Sequence, residues 1–424
     1  MGMTMAEKIL ASHSGRDSVS PGEYVTCEID VMMGNDITFA DACRNLIEIG
    51  LTSFADPDKV VVCNDHRVPA MTAKDAEMHT RLREYAAQFG VKYFYDAGVG
   101  IEHTVLPEKG HAHPGHLIIG ADSHSTTYGA LGAAATGMGA SELAYSMYKG
   151  SNWFQVPETI NFILDGDLSP GVTSKDVMMA LLGEHSADKA QYMSIEFTGS
   201  GAAAMSVEAR MTMSNTGVEM GAKFAMFAAD EKTIEYLSTR TDAKIEPFAA
   251  DADAVYAETH HIDCTNLEPQ VAFPHNPDNV RSISEVGNVP VQQAFIGSCT
   301  NSRTEDLERA AVILKGRKVA PGTRLLVIPS SQEVMMNVTK SGVLNVFVEA
   351  GAMIAPPGCG PCGGGSTGVL GAGENGIAST NRNFKGRMGS PDAFNYLASP
   401  ETVAASAVEG KIADPRKYLN LGSA

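Results

Sequence analysis

At 424 residues the chain is too long for one ordinary core, and with 44% hydrophobic and 19% charged residues it has the composition of two or three globular domains. A formal charge of −18 with no Lys/Arg run excludes a nucleic-acid-binding stripe, but not an anionic small substrate, because a few buried arginines reverse the field locally. No apolar run reaches the length of a membrane span, and the opening M-G-M-T-M-A-E-K-I-L holds no signal-peptide core, so no membrane and a cytoplasmic location are expected.

In chain order, apolar runs end abruptly in chemically capable residues. Residues 59–65, K-V-V-V-C-N-D, predict a buried strand with His66 at its end. I-E-H follows at 101–103, and then H-A-H-P-G-H at 111–116. The latter is read as a loop entering the next strand rather than a metal site. That strand, H-L-I-I-G-A-D at 116–122, runs into S-H-S. The three imidazoles near strand ends (His66, His103 and His124), with Asp65 and Asp122 to orient them, have the makings of general acid–base groups. G-x-G at 137–139 opens a small-residue helix but lacks a third glycine and a recognisable strand before it, so a dinucleotide fingerprint is rejected.

A second unit is predicted to begin near T-I-N-F-I-L-D-G at 159–166. Within it, N-T-G-V-E-M-G-A places Asn215 and Glu219 on one face if the segment is helical. The stretch 246–285 is acidic and proline-bearing, which puts a boundary near 280. Beyond it, strands are predicted over 289–296 and 324–328, with a helix over 304–315 capped by Ser302 and Glu305. The domains expected are thus 1–157, 158–280 and 281–424. Strands alternating with helices predict α/β domains with mostly parallel sheets, whose ligand sites form beyond the carboxyl ends of the strands.

The seven cysteines are irregularly spaced, and three stand in unusual surroundings. Cys299 follows a strand in G-S-C-T-N-S-R, while Cys359 and Cys362 lie in P-P-G-C-G-P-C-G-G-G. There is no second C-x-x-C to complete a zinc ribbon, whereas a redox dithiol needs only this pair. Three cysteines suit a cubane iron–sulfur cluster with one iron free of protein ligands, a Lewis acid for a departing hydroxyl. Finally, S-T-N-R-N-F-K-G-R-M-G at 379–389 carries two arginines of the kind that grip carboxylates bidentately.

Together, D-S-H-S, G-S-C-T-N-S-R, G-C-G-P-C and N-R-N-F-K-G-R resemble, in order and rough spacing, the aconitase superfamily over essentially the whole chain. The likeness is strongest to the large subunits of its two-chain isopropylmalate and homoaconitate dehydratases. The resemblance implies three α/β domains around a shared cleft. It also implies one 4Fe–4S cluster on Cys299, Cys359 and Cys362, with the fourth iron open. Asp65 and His66 would protonate the departing hydroxyl, with the pairs His103–Asp122 and His124–Glu219 around them. Asn215 and Asn381 would neighbour the cluster, while Arg382, Arg387 and Ser123 would bind the substrate.

Asn35, in V-M-M-G-N-D-I-T-F, would lie near the substrate, where single-chain aconitases carry Gln and the isopropylmalate enzymes often carry His. The sequence ends about 40 residues past the N-R-N-F-K-G-R segment. The catalytic serine would therefore come from a separate small subunit carrying the swivelling domain. The implied reaction is reversible dehydration of a substituted malate: 3-isopropylmalate in leucine synthesis first, with 2,3-dimethylmalate and homoaconitate as rivals. An RNA-binding iron sensor is disfavoured by the charge. A C-x-x-C oxidoreductase would retain its activity after Cys299→Ser.

Overall fold

The computed structural model describes residues 2–419. It holds three main sheets, and several of their parallel strands, such as Val60–Cys63 and Leu117–Gly120, are short, buried and apolar. In the first, all five strands are parallel, in the spatial order Tyr93–Tyr95, Val60–Cys63, Val31–Asn35, Leu117–Gly120, Ala134–Gly137. An antiparallel ribbon, Tyr24–Glu28 with Ser151–Gln155, flanks it. The second sheet is also all parallel, ordered Phe224–Phe227, Ser194–Thr198, Thr159–Asp165, Glu258–Asp263. The third has seven strands. Met353–Ile354, Arg324–Val327, Gln293–Ile296, Asn375–Ala378 and Phe394–Ala398 run parallel, and Gln270–Ala272 and Val280–Ser282 add antiparallel at one edge.

This third sheet begins at Gln270, so the division expected at 280 falls inside one of its strands. The two short strands, Q-V-A and V-R-S, close the edge of Phe394–Ala398, and the acidic, proline-bearing stretch around them hides that role. The division expected at 157 falls in the connection between Ser151–Gln155 and Thr159–Asp165. Met1 and residues 420–424 of the expected outer domains lie outside the described residues.

Two local readings change. The helix Thr304–Leu314 starts one residue later than Ser302 would cap it. Arg303 N–H donates to Asp306 Oδ2 at 3.0 Å, while the Ser302 hydroxyl donates back to the Ser298 carbonyl. Gly137 does end a strand, Ala134–Gly137, directly ahead of the helix Ala140–Lys149. The glycine is there for close approach rather than for phosphate. A Cβ on it would lie 2.6 Å from the Asp122 carbonyl and 2.7 Å from Ser123 Cα.

Two crevices follow from the strand orders. In the first sheet the chain order reverses between Val31–Asn35 and Leu117–Gly120, and in the third between Gln293–Ile296 and Asn375–Ala378. Ligand sites of open parallel sheets form at such reversals. Asn35 and Asp122 flank the first crevice; Cys299 and Asn381 flank the second. Among the described residues no helix is long and apolar enough to cross a membrane.

Candidate active site

The buried strand Val60–Cys63 delivers Asp65 and His66 at its carboxyl end. Asp65 Oδ1 lies 2.7 Å from His66 Nδ1, and Asp65 Oδ2 accepts the Glu102 N–H at 2.8 Å. Asp36, at the neighbouring strand end, accepts the N–H groups of Asp65, His66 and Arg67 at 3.3, 2.9 and 3.0 Å, so three successive amides of the loop carrying the histidine are tied to one carboxylate. His66 keeps 18% of its side chain accessible while Asp65 keeps none, so the imidazole is the face of the pair that a ligand can reach. Burial opposes charge on His66, but negative charge from Cys359 and from the carboxylates of Asp65, Asp122 and Asp36 outweighs it and holds the pKa well above the usual value.

The strand Leu117–Gly120 and the 3-10 helix Ser123–Leu131 present the second cluster. Asp122 Oδ1 caps that helix through His124 N–H at 2.8 Å and lies 2.8 Å from His103 Nε2. The other ring nitrogen of His103, Nδ1, meets the Tyr128 hydroxyl at 3.1 Å. Burial pulls the His103 pKa down; it likewise works against ionised Asp122, but the His103 bond and the nearby His124 and His66 rings hold that carboxyl well below its ordinary range. Asp122 Oδ2 also approaches His66 Nε2 to 3.7 Å, so one carboxylate joins the histidine clusters.

Asn215 and Glu219 come from the second unit. They do not share one continuous helix: Val207–Gly217 gives way to the 3-10 turn Val218–Met220. That tightening swings Glu219 onto His124 Nε2 at 2.8 Å, while Asn215 points at a sulfur.

The three cysteines converge from the third sheet. Cys299 follows Gln293–Ile296 after Ser298, whose φ of +89° turns the chain sharply at the strand mouth. After Met353–Ile354, Cys359 stands at the N-cap of the short 3-10 turn Gly360–Gly363, and Cys362 lies within it. All seven cysteines are free thiols. Asn215 Nδ2 and Asn381 Nδ2 donate to Cys299 Sγ at 3.3 and 3.4 Å, and Cys362 Sγ approaches Asn381 Oδ1 at 3.6 Å. Arg303, buried, donates to the carbonyls of Cys299 and Thr300 at 2.7 and 2.9 Å and pins the loop. Cys299 and Cys359 pack with Ile101 in one buried patch. Burial pushes the Cys299 thiol up to about 12, so a soft metal would have to displace protons on binding. Three converging sulfurs with amide N–H groups aimed at one of them fit an iron–sulfur cluster.

The substrate-side residues are more open. Arg382 follows Asn375–Ala378, and its Nε donates to Glu219 Oε1 at 2.7 Å. Arg387 lies on the same loop, with its buried Nε unpaired among the described residues. Ser123 lines a groove of about 470 Å³ together with Asp122, Thr136 and Lys223. Asn35 is buried, its amide turned to Glu102. Contacts thus link Asp65 with His66, His103 with Asp122, His124 with Glu219 and Arg382, and Asn215 and Asn381 with Cys299.

Three residues of the cluster escaped the sequence reading. Asp36 and Glu102 stand beside residues already chosen, in N-D and I-E-H. Lys175, at the start of the helix Ser174–His185, is fully buried and donates to the Thr380 carbonyl at 2.6 Å. Burial lowers it to about 8. Its sequence neighbourhood, T-S-K-D, carries no signal distinguishing it from a solvated first-turn lysine.

Comparison with known proteins agrees with this geometry. The family model described as "Aconitase family (aconitate hydratase)" matches residues 7–289 and 283–410. The chain is 48% identical over 421 residues to the 3-isopropylmalate dehydratase large subunit 1 of Pyrococcus furiosus, covering 99% of both chains. It is 50% identical over 419 residues to that of Methanopyrus kandleri, covering 99% of this chain and all of the relative. It is 47% identical over 420 residues to the 3-isopropylmalate dehydratase large subunit of Halothermothrix orenii, with the same coverage.

Proposed function

The chain belongs to the aconitase family, and from that premise we propose that it is the large, cluster-bearing subunit of a 3-isopropylmalate dehydratase, a hydro-lyase of leucine synthesis. The observation that carries the reading is the convergence of Cys299, Cys359 and Cys362 on a cleft walled by the Asp65–His66 pair. The relatives, 3-isopropylmalate dehydratase large subunits, favour isopropylmalate over dimethylmalate and homoaconitate.

The three thiolates would hold a 4Fe–4S cluster, which when bound supplies a Lewis-acidic iron to the departing hydroxyl. The chain's own residues do the rest. His66, held protonated by the negative charge of Cys359 and the surrounding carboxylates, gives its proton to the hydroxyl, which leaves as water, while Asp65 holds the other ring nitrogen. Arg382 and Arg387 orient the substrate carboxylates, since a guanidinium presents two parallel donors to a carboxylate. Asp122 and Glu219 fix the rings of His103 and His124. Asn215 and Asn381 turn N–H groups to sulfur and thereby stabilise negative charge there.

The base for C–H abstraction would be a serine on a small subunit, consistent with the "large subunit" names of the relatives. The test is anaerobic co-purification with the small subunit, cluster reconstitution and assay on 3-isopropylmalate, 2,3-dimethylmalate and homoaconitate. Turnover of isopropylmalate by the complex, and not by this chain alone, is expected. Preference for either rival substrate would retain the chemistry and overturn the pathway.

A further inference from the structure

Asn35 closes the strand Val31–Asn35 and is 1% exposed. Its Oδ1 accepts three donors: the N–H groups of Ile37 and Thr38 at 3.0 and 3.1 Å, and the Thr38 hydroxyl at 2.9 Å. Three donors on one atom identify it as the oxygen end of the amide. Nδ2 is therefore the end that meets Glu102 Oε1, at 3.1 Å. With Oδ1 filled and one Nδ2 hydrogen given to Glu102, only the second Nδ2 hydrogen remains for any other acceptor. The contact with Glu102 assigns roles there. An amide nitrogen only donates, so Oε1 must accept.

Glu102 is fully buried, and Oε2 has no partner among the described residues. The residue nevertheless sits between both acid–base pairs. Its N–H holds Asp65 Oδ2, and Oε1 lies 3.6 Å from His103 Nε2. A carboxyl oxygen of Glu102 is within 4.8 Å of both a His66 ring nitrogen and an Asp122 oxygen. The groups around it are Asp36, Cys63, Asp65 and His66 at the neighbouring strand ends, His103 on its own helix, and Asp122 and Tyr128 on the segment that follows. Burial pushes the Glu102 carboxyl up, the negative charges of Asp65 and Asp122 push further, and His66 and the Asn35 bond oppose them. A neutral acid with Oε1 accepting carries its hydroxyl on Oε2, the unpaired atom. An ionised Glu102 would add one more negative charge beside His66 and tighten its hold on the proton it has to release.

We propose that Glu102 is a further positioning residue of the dehydration, set by Asn35 with its acceptor end at Oε1 and its donor end at Oε2, held among the Asp65–His66 and His103–Asp122 pairs. This rests on the function proposed above and adds the residue through which position 35 acts on the reaction.

The experiment compares Glu102→Leu, Glu102→Gln and Asn35→Asp in the cluster-loaded complex with the small subunit. It adds infrared difference spectra of the chain in H₂O and D₂O, which need no substrate. Leucine supplies neither end of the carboxyl and is expected to lower kcat about 10- to 100-fold with KM little changed, the range for residues that orient catalytic groups. Glutamine supplies both an acceptor and a donor and is expected to recover most of that loss. Asn35→Asp keeps the acceptor that holds Ile37 and Thr38 but removes the donor, so kcat falls and its pH profile shifts. In the spectra, wild type shows a protonated-carboxyl C=O band that is lost in Glu102→Gln and moves in Asn35→Asp. A Glu102→Gln enzyme as impaired as Glu102→Leu, or normal turnover with no such band, overturns the proposal and leaves the functional reading intact. The band behaving as described without turnover of any substituted malate overturns the functional reading and sustains the assignment of Glu102.

Discussion

His124 and Glu219 meet at 2.8 Å across 95 residues of sequence, and the oxygen that holds the imidazole also receives Arg382 Nε at 2.7 Å. His124 follows a strand of the first sheet, Glu219 comes from the second unit and Arg382 follows a strand of the third. One carboxylate oxygen therefore ties a histidine of the first unit to an arginine of the third.

Replacing that carboxylate by an amide tests the tie. Glu219→Gln leaves Arg382 with a largely buried, unpaired charge, and breaking a buried pair in this way is expected to cost about 3 kcal/mol, read from the urea midpoint. The cost should depend on pH. Burial pushes the Glu219 carboxyl up, but the His124 bond and the Arg382 charge outweigh it, so its folded pKa lies below the ordinary value. Such a group stabilises above the unfolded pKa of about 4.3, and the contribution disappears as pH falls through the folded value. Wild type and Glu219→Gln should thus differ most near neutrality and converge in acid. A gap that stays constant with pH would contradict the assignment.

Cys359→Ser is expected to abolish the brown absorbance of anaerobically reconstituted protein, and Cys299→Ser to do the same. Cys27→Ser, on the far side of the first sheet's core, should keep it. Retained colour in Cys299→Ser would break the ligand set.

Arg387 offers a guanidinium whose Nε has no acceptor among the described residues. Arg387→Lys, in the complex, should raise KM about 10- to 100-fold and lower kcat much less, because an ammonium lacks the fork that grips a carboxylate. An unchanged KM would remove Arg387 from the carboxylate site.

Away from the cleft, Glu108 accepts the Ser331 hydroxyl at 2.6 Å where the first unit meets the third. Burial raises its pKa to about 7. Between the unfolded value of about 4.3 and pH 7 the native state binds more protons than the unfolded state, so stability falls as pH rises through that window. Glu108→Gln keeps an acceptor for Ser331 but cannot ionise. Its melting temperature should exceed the wild-type value above pH 7, and the advantage should vanish below pH 4. Equal melting temperatures at pH 8 would contradict a buried, ionising carboxylate here.

The parts of this architecture legible in the sequence were those where one physical requirement dominated. The strands Val60–Cys63 and Leu117–Gly120 are buried throughout and read as unbroken apolar runs, and Arg324–Val327 does so after its exposed first residue. The cysteine loops stood out because only small residues leave room for a bulky cofactor. Ala134–Gly137 was missed because its small residues suit tight packing between units rather than strand propensity; nearby, a Cβ on Gly129 would sit 1.9 Å from the Ala225 carbonyl. The cap of Thr304–Leu314 went to Asp306 because Glu305 and Asp306 are adjacent and only tertiary contacts decide between them. The Glu305 N–H goes to Glu208. Lys175 and Glu102 gave no signal because a buried charge is recognised by what surrounds it, and here the surroundings come from distant strands.

As proposed, this chain carries the cluster and the acid–base pairs of a two-chain isopropylmalate dehydratase. The most direct measurement is steady-state dehydration of 3-isopropylmalate by anaerobically reconstituted chain with its small subunit, beside His66→Asn in the same complex. The account predicts turnover by wild type. It also predicts a kcat lowered at least about 100-fold in His66→Asn, with the cluster absorbance retained. A wild-type complex with an intact cluster that leaves 3-isopropylmalate untouched would contradict it.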